Sequence, residues 1–261
     1  PVIGWPSDIQ SLDKRTTEQF FRTFYSPANT VLTVVGDLNP DEALPIIRKY
    51  FERIPSQILP PPLRTVEPEQ IGERRIQVVA DAQPQLIIGF HKPNPRHPDD
   101  VVCEVIESLL TSGRTSRLYK RLVEEERTAA EVSSSNGFPG ERYPNLFVIF
   151  ATPRHPHTAE ELEKAIGQEL DRLKSEPVSE QELKKVKNQI QTDFLRQLNS
   201  NSKLAYWLSY GQCLFGDWRY FSDRLQSYER VTAEDVRRVA QKYFVALNRT
   251  AAALAKSPES P

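Results

Sequence analysis

The chain has 261 residues, which is long for one compact domain and suits two. Its 34 basic and 35 acidic residues leave a net charge of −1, which predicts no attraction to nucleic acid or to an anionic membrane. Hydrophobic residues make up 38 %, more than a disordered chain contains. The longest apolar runs, such as 146–151, are far shorter than the roughly 20 residues that a membrane span needs. These numbers predict a folded protein without a membrane span or a nucleic-acid partner.

The first 57 residues read as helix, strand and helix. Asp13 suits the N-cap of a helix that carries aromatic residues at helical spacing and ends before Pro27. The β-branched run 30–35 predicts a strand, and Asn39 followed by proline begins a helix through Phe51. Because one strand cannot form a sheet, we interpret 1–57 as the C-terminal half of a domain and expect the chain to be a piece of a longer protein.

Residues 58–70 contain four prolines and little apolar periodicity, which is typical of an extended linker. The remainder predicts a second domain, 71–256, and a tail, 257–261. Within this domain, Ser179 with Glu182 and Thr232 with Asp235 are predicted capping boxes. Strands are predicted at 75–79 and 86–90, joined by a turn, and at 129–135, 146–152 and 249–255; helices are predicted at 101–110, 115–126, 162–173, 179–198, 202–215 and 232–243. Strands in adjacent pairs with helices between the pairs predict an α+β fold, an antiparallel sheet covered on one face by helices, beside an incomplete first domain.

The residues that could carry chemistry are few. The sequence contains no phosphate-binding glycine motif and no nucleophile elbow. Its histidines, at positions 91, 97, 155 and 157, are predicted in or beside turns; His155 and His157 could supply two metal ligands, but a solvated loop is the preferred interpretation. His157 with Glu161 differs from an inverted zinc-protease motif in the last letter, which we interpret as coincidence. Cys103 and Cys213 are expected to be buried as small apolar side chains.

Two further groups of residues each allow a structural and a functional interpretation. The acidic run Glu124–Glu126 predicts a solvated helix face, with an active-site carboxylate as the alternative. Trp5, Trp207 and Trp218, together with nearby tyrosines, are expected to pack between helices, with an aromatic binding patch as the alternative. The residues alone therefore predict an α+β protein with no self-contained active site.

Several stretches in order along nearly the whole chain resemble the pitrilysin/insulinase family of zinc peptidases. The opening 1–5 is similar to the segment just after the family's last zinc ligand, and 20–37 resembles the signature F-x4-Y-x-P-x-N-x2-L-x-V-V-G-D. The run 112–118 is similar to the family's G-x-S-S-R-L helix start, and 199–202 and 215–218 fit its later helices. This resemblance implies two similar domains in each half of a closed chamber, and a zinc motif, H-x-x-E-H with a distal glutamate, that precedes this chain in the parent protein.

The resemblance also implies which residues this chain lacks. Many members carry an arginine and, seven residues later, a tyrosine that bind the scissile carbonyl; the matching positions here are Val123 and Ala130. Neither side chain can donate a hydrogen bond, so no catalytic, cofactor or metal residue is expected in this chain. This pattern fits the zinc-bearing subunit of a heterodimer, completed by a second peptidase-like subunit, and it fits equally a non-catalytic structural core subunit such as those of respiratory complex III. Peptides are the implied substrate, and both the cytoplasm and the periplasm are compatible with the sequence.

Overall fold

The structure, a computed structural model, describes residues 3–60 and 62–256. The N-terminal segment 3–57 holds three helices, α1 (Pro6–Ser11), α2 (Lys14–Phe24) and α3 (Pro40–Phe51). Asp13 caps α2 by accepting a hydrogen bond from the Thr16 amide at 2.6 Å, and the Asn39 side chain caps α3. These two predicted helices are confirmed, whereas α1 was not predicted. The predicted tail, 257–261, lies outside the described residues.

The predicted strand at 30–35 is not formed. A strand requires hydrogen bonds from a neighbouring strand, and the described residues of 3–57 contain no second extended segment to supply them. Instead, the Ser209 hydroxyl of a distant helix donates to Thr33 Oγ1 at 2.7 Å. None of α1, α2 and α3 contains a buried residue, and among the described residues none packs closely against another element.

Residues 71–256 build one five-stranded sheet. Its strands are β1 (Arg74–Ala80), β2 (Gln85–Lys92), β3 (Ala129–Phe138), β4 (Asn145–Pro153) and β5 (Arg249–Lys256). They lie in the order β1-β5-β2-β4-β3, with antiparallel pairing except between β1 and β5, which are parallel. The turn between β1 and β2 does not join hydrogen-bonded neighbours, because the last strand inserts between them and hydrogen-bonds to both.

Helices cover one face of this sheet and enclose the core. They are α4 (Pro98–Thr111), a π-helix (Tyr119–Glu125), α5 (Ala159–Ser175), α6 (Glu180–Gln197), α7 (Asn201–Phe215), α8 (Tyr220–Arg230) and α9 (Ala233–Tyr243). Apolar residues from α4, α5, α9 and the inner faces of β2 and β4 form a continuous core, as expected for a one-sided α+β sheet. The structure forms α8, which was not predicted, and a π-helix over most of the helix predicted at 115–126.

The opposite face of the sheet has no helical cover among the described residues. Ile76, Val78 and Ile87 lie on it and are 54 %, 51 % and 37 % exposed. An uncovered apolar sheet face is unusual for an isolated domain, which indicates a surface that meets something else. No helix in the described part of the chain is long and apolar enough to span a membrane.

Local contacts explain which of the smaller predictions hold. Thr232 and Asp235 form the predicted capping box. Ser179 accepts from the Glu182 amide, but the Glu182 carboxylate binds the Arg117 guanidinium through two 2.8 Å hydrogen bonds and so does not complete the box. Cys103 is buried as expected, whereas Cys213 is exposed, which makes that prediction wrong.

Candidate functional site

The two positions that match the family's carbonyl-binding pair lie at the ends of a short connection. Val123 belongs to the π-helix and is partly buried against the core. Ala130 is exposed near the start of β3, at an irregularity in the pairing with β4. Neither side chain can polarise a carbonyl, because neither carries a hydrogen-bond donor. That these residues take the places of the arginine and tyrosine stays a prediction.

The histidines are dispersed, and most are engaged in local contacts. His91 lies on β2 with Nε2 3.4 Å from a Glu67 carboxylate oxygen, and His97 caps α4 by accepting from the Asp99 amide. The Nδ1 atom of His157 lies 2.7 Å from a carboxylate oxygen of Glu161, so the near-match to a zinc motif is an ordinary side-chain pair. No group of three or more histidine, cysteine or acidic residues in the described ranges is placed to hold a metal ion. The described residues therefore do not fit a zinc site.

The contacts of the acidic run and of the tryptophans distinguish between the two interpretations of each group. Glu126 binds Arg121 at 2.7 Å and Glu125 lies 3.5 Å from Lys120, both at the surface, which confirms a solvated helix face. Among the tryptophans, Trp207 packs against other aromatic rings as expected. Trp5 and Trp218, in contrast, are 64 % and 49 % exposed, so the prediction that they pack between helices is wrong.

A cavity of about 440 Å³ lies between α4, α6, α7, α8 and the end of β3. One wall is aromatic, with the rings of Trp207 and Phe221 4.6 Å apart and those of Tyr206 and Tyr210 5.7 Å apart. The lining also carries carboxylates from α4 and from the β3–β4 loop. We call this space the acidic aromatic cavity; its charged and aromatic lining includes Glu104, Glu107, Glu141, Tyr206, Trp207, Tyr210, Tyr220, Phe221 and Arg224.

A buried charge network lies beside the cavity, and its members Glu104, Arg224 and Tyr228 line it. Arg224 of α8 donates to Asp100 at 2.5 Å and to Glu104 at 2.6 Å, and the buried Lys92 ammonium binds the other oxygen of Asp100. The Tyr228 hydroxyl donates to the same Glu104 oxygen at 2.5 Å. These two cations and two carboxylates neutralise one another, which allows them to be buried and fixes α8 against α4.

Two further carboxylates line the cavity without a cation. Glu107 accepts a hydrogen bond from the Asn136 amide at 3.1 Å, and Glu141 accepts one from the Tyr210 hydroxyl at 3.0 Å. Burial, reinforced by the nearby negative charge of Glu104, raises the pKa of Glu107 to about 8. Burial also raises the pKa of Glu141, against the lowering effect of the Tyr210 hydrogen bond. Shifted carboxyl groups in a cleft are typical of binding or catalytic sites.

Sequence reasoning missed this cavity, although one signal was present. Glu104 and Glu107 interrupt the mostly apolar run 101–110 and lie three residues apart, which places them on one helix face. A polar pair inside a buried helix face predicts a site or a partner. The aromatic wall arises from α7 and α8, whose approach the sequence does not specify.

The second candidate feature is the apolar surface of the N-terminal segment. Phe20, Phe21, Phe24 and Tyr25 of α2 and its C-cap are 57 %, 58 %, 40 % and 65 % exposed. Tyr50 of α3 is 53 % exposed. We call these residues the N-terminal apolar surface. Exposed aromatic area of this kind marks an interaction surface in a folded protein.

Comparison with known proteins identifies the family. Residues 11–190 match the family model described as the peptidase M16 inactive domain. A zinc protease PqqE of Helicobacter pylori is 30 % identical over 253 residues, which cover 93 % of this chain and 55 % of that protein. A protein named mitochondrial-processing peptidase subunit beta, of Arabidopsis thaliana, is 20 % identical over 255 residues, which cover 93 % of this chain and 47 % of that protein. The chain thus spans about half the length of these curated relatives.

Solved structures agree in fold. A protease from Helicobacter pylori superposes with a TM-score of 0.89 at 28 % sequence identity. The aligned part covers 97 % of this chain and 62 % of the chain of that protease. A chain of complex III2 from Candida albicans superposes with a TM-score of 0.78 at 14 % sequence identity. The aligned part covers 97 % of this chain and 61 % of the complex III2 chain. The predicted resemblance to zinc peptidases of the pitrilysin type is confirmed: the chain belongs to the M16 peptidases and matches the part of them described as the inactive domain.

Proposed function

We propose that the chain is the non-catalytic C-terminal part of a zinc metallopeptidase subunit that degrades or processes peptides. In this proposal, 1–57 is the C-terminal half of a first domain, 58–70 is a linker and 71–256 is a second, inactive domain. One contrast carries the proposal. Residues 71–256 enclose a continuous core, whereas α1, α2 and α3 bury no residue and expose the N-terminal apolar surface.

The chain would contribute a wall and an interface instead of a reacting group. The described residues do not fit zinc, so the metal would belong to a preceding portion of the parent protein. The uncovered sheet face with Ile76, Val78 and Ile87 offers a surface that could line a chamber. Since Val123 and Ala130 supply no donor, a second peptidase-like subunit would provide the groups that bind the scissile carbonyl.

A non-catalytic structural subunit of a larger complex is the second candidate. It is favoured by the similarity in fold to a chain of complex III2, because that likeness extends over 97 % of this chain. A structural subunit would use the same two apolar surfaces for assembly alone. The two candidates differ in whether the preceding portion carries an intact zinc motif.

The first test is therefore the coding sequence upstream of Pro1, followed by assays of the complete protein. An intact H-x-x-E-H with a distal glutamate, stoichiometric zinc and cleavage of a fluorogenic peptide are expected for the peptidase. A degenerate motif, no zinc and no cleavage would favour the structural subunit instead.

The second test asks whether a partner subunit supplies the groups that bind the scissile carbonyl. Cleavage should require a partner subunit, and replacing the partner's carbonyl-binding arginine or tyrosine should slow turnover by roughly 100- to 1000-fold. The Val123→Ala variant of this chain is the matched control and should leave turnover nearly unchanged, because no donor is lost. Full activity of the parent protein without a partner would refute the heterodimer.

A further inference from the structure

The charges of the acidic aromatic cavity do not balance. Asp100 and Glu104 are neutralised by Lys92 and Arg224, which leaves Glu107 and Glu141 as additional carboxyl groups. Neither has a lysine, arginine or histidine partner within ion-pair distance among the described residues. Each accepts one hydrogen bond through Oε2, and its Oε1 has no donor in the same part of the structure. The two Oε1 atoms therefore keep free acceptor capacity at the lining of the cavity.

A third acceptor points in the same direction. Asn136 also lines the cavity, and its Nδ2 donates to Asp100, which fixes the orientation of the amide. Its Oδ1 is buried and has no hydrogen-bond donor in the described structure. Buried amide oxygens without a donor are rare, so Asn136 adds one unfilled acceptor beside the cavity.

The aromatic wall faces these acceptors. Tyr206, Trp207, Tyr210, Tyr220 and Phe221 present π-systems to the same space. Aromatic faces attract cations, and the cavity already uses this interaction, because the Arg224 guanidinium lies 5.7 Å from the Tyr220 ring centroid and 5.6 Å from that of Tyr228. Tyr206 is 57 % exposed, so the cavity reaches the surface beside α7. A volume of about 440 Å³ is within the range of small-ligand sites.

We propose that the acidic aromatic cavity binds an organic cation, a guanidinium or a primary ammonium group, between Glu107, Glu141 and the aromatic wall. Such a group brings a positive charge to two carboxyl groups without an ion-pair partner, and it brings N–H donors for their free Oε1 atoms. An anion is excluded because the cation in the lining, Arg224, already binds Asp100 and Glu104. The cation could be the side chain of a basic residue in a peptide or a small free amine, and the inference does not depend on the proposed peptidase role.

Binding of the cation should release a proton. Because Glu107 is protonated at neutral pH in the empty cavity, a bound positive charge has to shift it to the carboxylate. Affinity should therefore rise with pH up to about 8 and then level off. The groups that set the pKa of Glu107, besides burial, are Glu104 and Asp100 on α4, Asn136 on β3 and Lys92 on β2. Glu141 of the β3–β4 loop and Arg224 and Tyr228 of α8 line the same cavity.

The test is isothermal titration calorimetry of the folded 261-residue chain with blocked peptides. The ligands are acetyl-Ala-Ala-Arg-Ala-Ala-amide, the same peptide with neutral citrulline in place of arginine, and agmatine as a free amine. We expect saturable one-to-one binding of the arginine peptide and at least about 10-fold weaker binding of the citrulline peptide. Tighter binding of the peptide than of agmatine identifies a peptide side chain as the source, and equal or tighter binding of agmatine identifies a small amine.

Variants assign the binding to the cavity. Glu107→Gln and Glu141→Gln should each weaken arginine-peptide binding by about 10-fold or more, since each removes one charge and keeps the side-chain shape. Glu124→Gln removes one charge at an exposed position and is the matched control. Melting temperatures verify that each variant is folded. Equal affinities for the arginine and citrulline peptides, unchanged binding in both cavity variants, or no binding by the folded chain at millimolar peptide would overturn the proposal.

Discussion

Replacing Glu107 by glutamine should stabilise the protein above neutral pH. Glutamine keeps the acceptor for the Asn136 amide and removes the group whose charged form is disfavoured by burial. A carboxyl whose pKa rises from 4.5 in the unfolded chain to about 8 in the folded one is held protonated by folding. Its contribution to stability is complete below pH 4.5 and is lost as the pH rises towards 8.

The size of this effect follows from the shift. At about 1.4 kcal/mol per pKa unit, the full loss above pH 8 would approach 5 kcal/mol. Relaxation and water entry reduce such effects in real proteins, so we expect on the order of 2 kcal/mol. For a chain of this size, that corresponds to a melting temperature about 4–8 °C higher in the Glu107→Gln variant at pH 8.

Thermal melts followed by circular dichroism at pH 5 and at pH 8 measure the difference directly. The variant and the wild type should nearly coincide at pH 5, and Glu124→Gln should follow the wild type at both values. A difference that does not change with pH would refute the assignment of a buried, protonated Glu107. A wild type more stable than the variant at pH 8 would refute it as well.

Further variants probe packing, charge and metal. Gly211→Ala should destabilise the protein by about 1–3 kcal/mol in urea unfolding, because the new Cβ would lie 2.9 Å from the Asp217 carbonyl oxygen. Gly167→Ala, in open space on α5, should instead stabilise the protein by about 0.5–1 kcal/mol. Burial alone would raise the pKa of Asp99, but hydrogen bonds from α9 side chains outweigh it and lower the pKa to about 2. The stabilisation by these hydrogen bonds is therefore present above pH 4 and is lost as the pH falls towards 2. Asp99→Asn should flatten this acid dependence and cost about 1–2 kcal/mol at pH 7. Metal analysis of the purified chain should find no stoichiometric zinc, and tight one-to-one zinc that is lost in His157→Ala would contradict this.

The regular elements of 71–256 could be predicted because their signals are local. Apolar residues at helical spacing located α4, α5, α6 and α9, and capping residues such as Thr232 located helix starts. The order of the strands could not be read in this way. β5 pairs with both β1 and β2, and these contacts join residues more than 150 positions apart, which no local pattern specifies.

The candidate site, too, depends partly on local signals and partly on contacts between distant parts of the chain. The sequence placed Glu104 and Glu107 on one face of α4, but the cavity exists only because α6, α7 and α8 meet α4 in three dimensions. The wrong strand at 30–35 has a different cause. Its β-branched residues fit a strand, yet propensity gives no hydrogen-bonding partner, and the described segment 3–57 contains none.

The N-terminal apolar surface gives the sharpest test of the proposed half domain. Phe20 and Phe24 lie on one side of α2 with ring centroids 4.7 Å apart, and they are 57 % and 40 % exposed. Burying a phenylalanine side chain contributes roughly 1.5–3 kcal/mol, so loss of both should weaken association with the covering portion by more than about 100-fold. In the isolated chain, the same loss should change stability by less than about 0.5 kcal/mol, because neither ring contributes to the core.

The experiment uses the double variant Phe20→Ser/Phe24→Ser and, as control, Leu247→Ser, whose side chain is 62 % exposed and lies just before β5. In sedimentation velocity, the wild-type chain should self-associate with rising concentration, and the double variant should remain monomeric, since exposed apolar area drives such association. Co-purification with the preceding portion of the parent protein should be lost in the double variant and kept in the control. Two results together would contradict the half-domain interpretation. The wild-type chain would be a monomer whose residues 3–57 resist protease, and both variants would co-purify equally well with the preceding portion. The Phe20 and Phe24 rings would then not be covered by another surface.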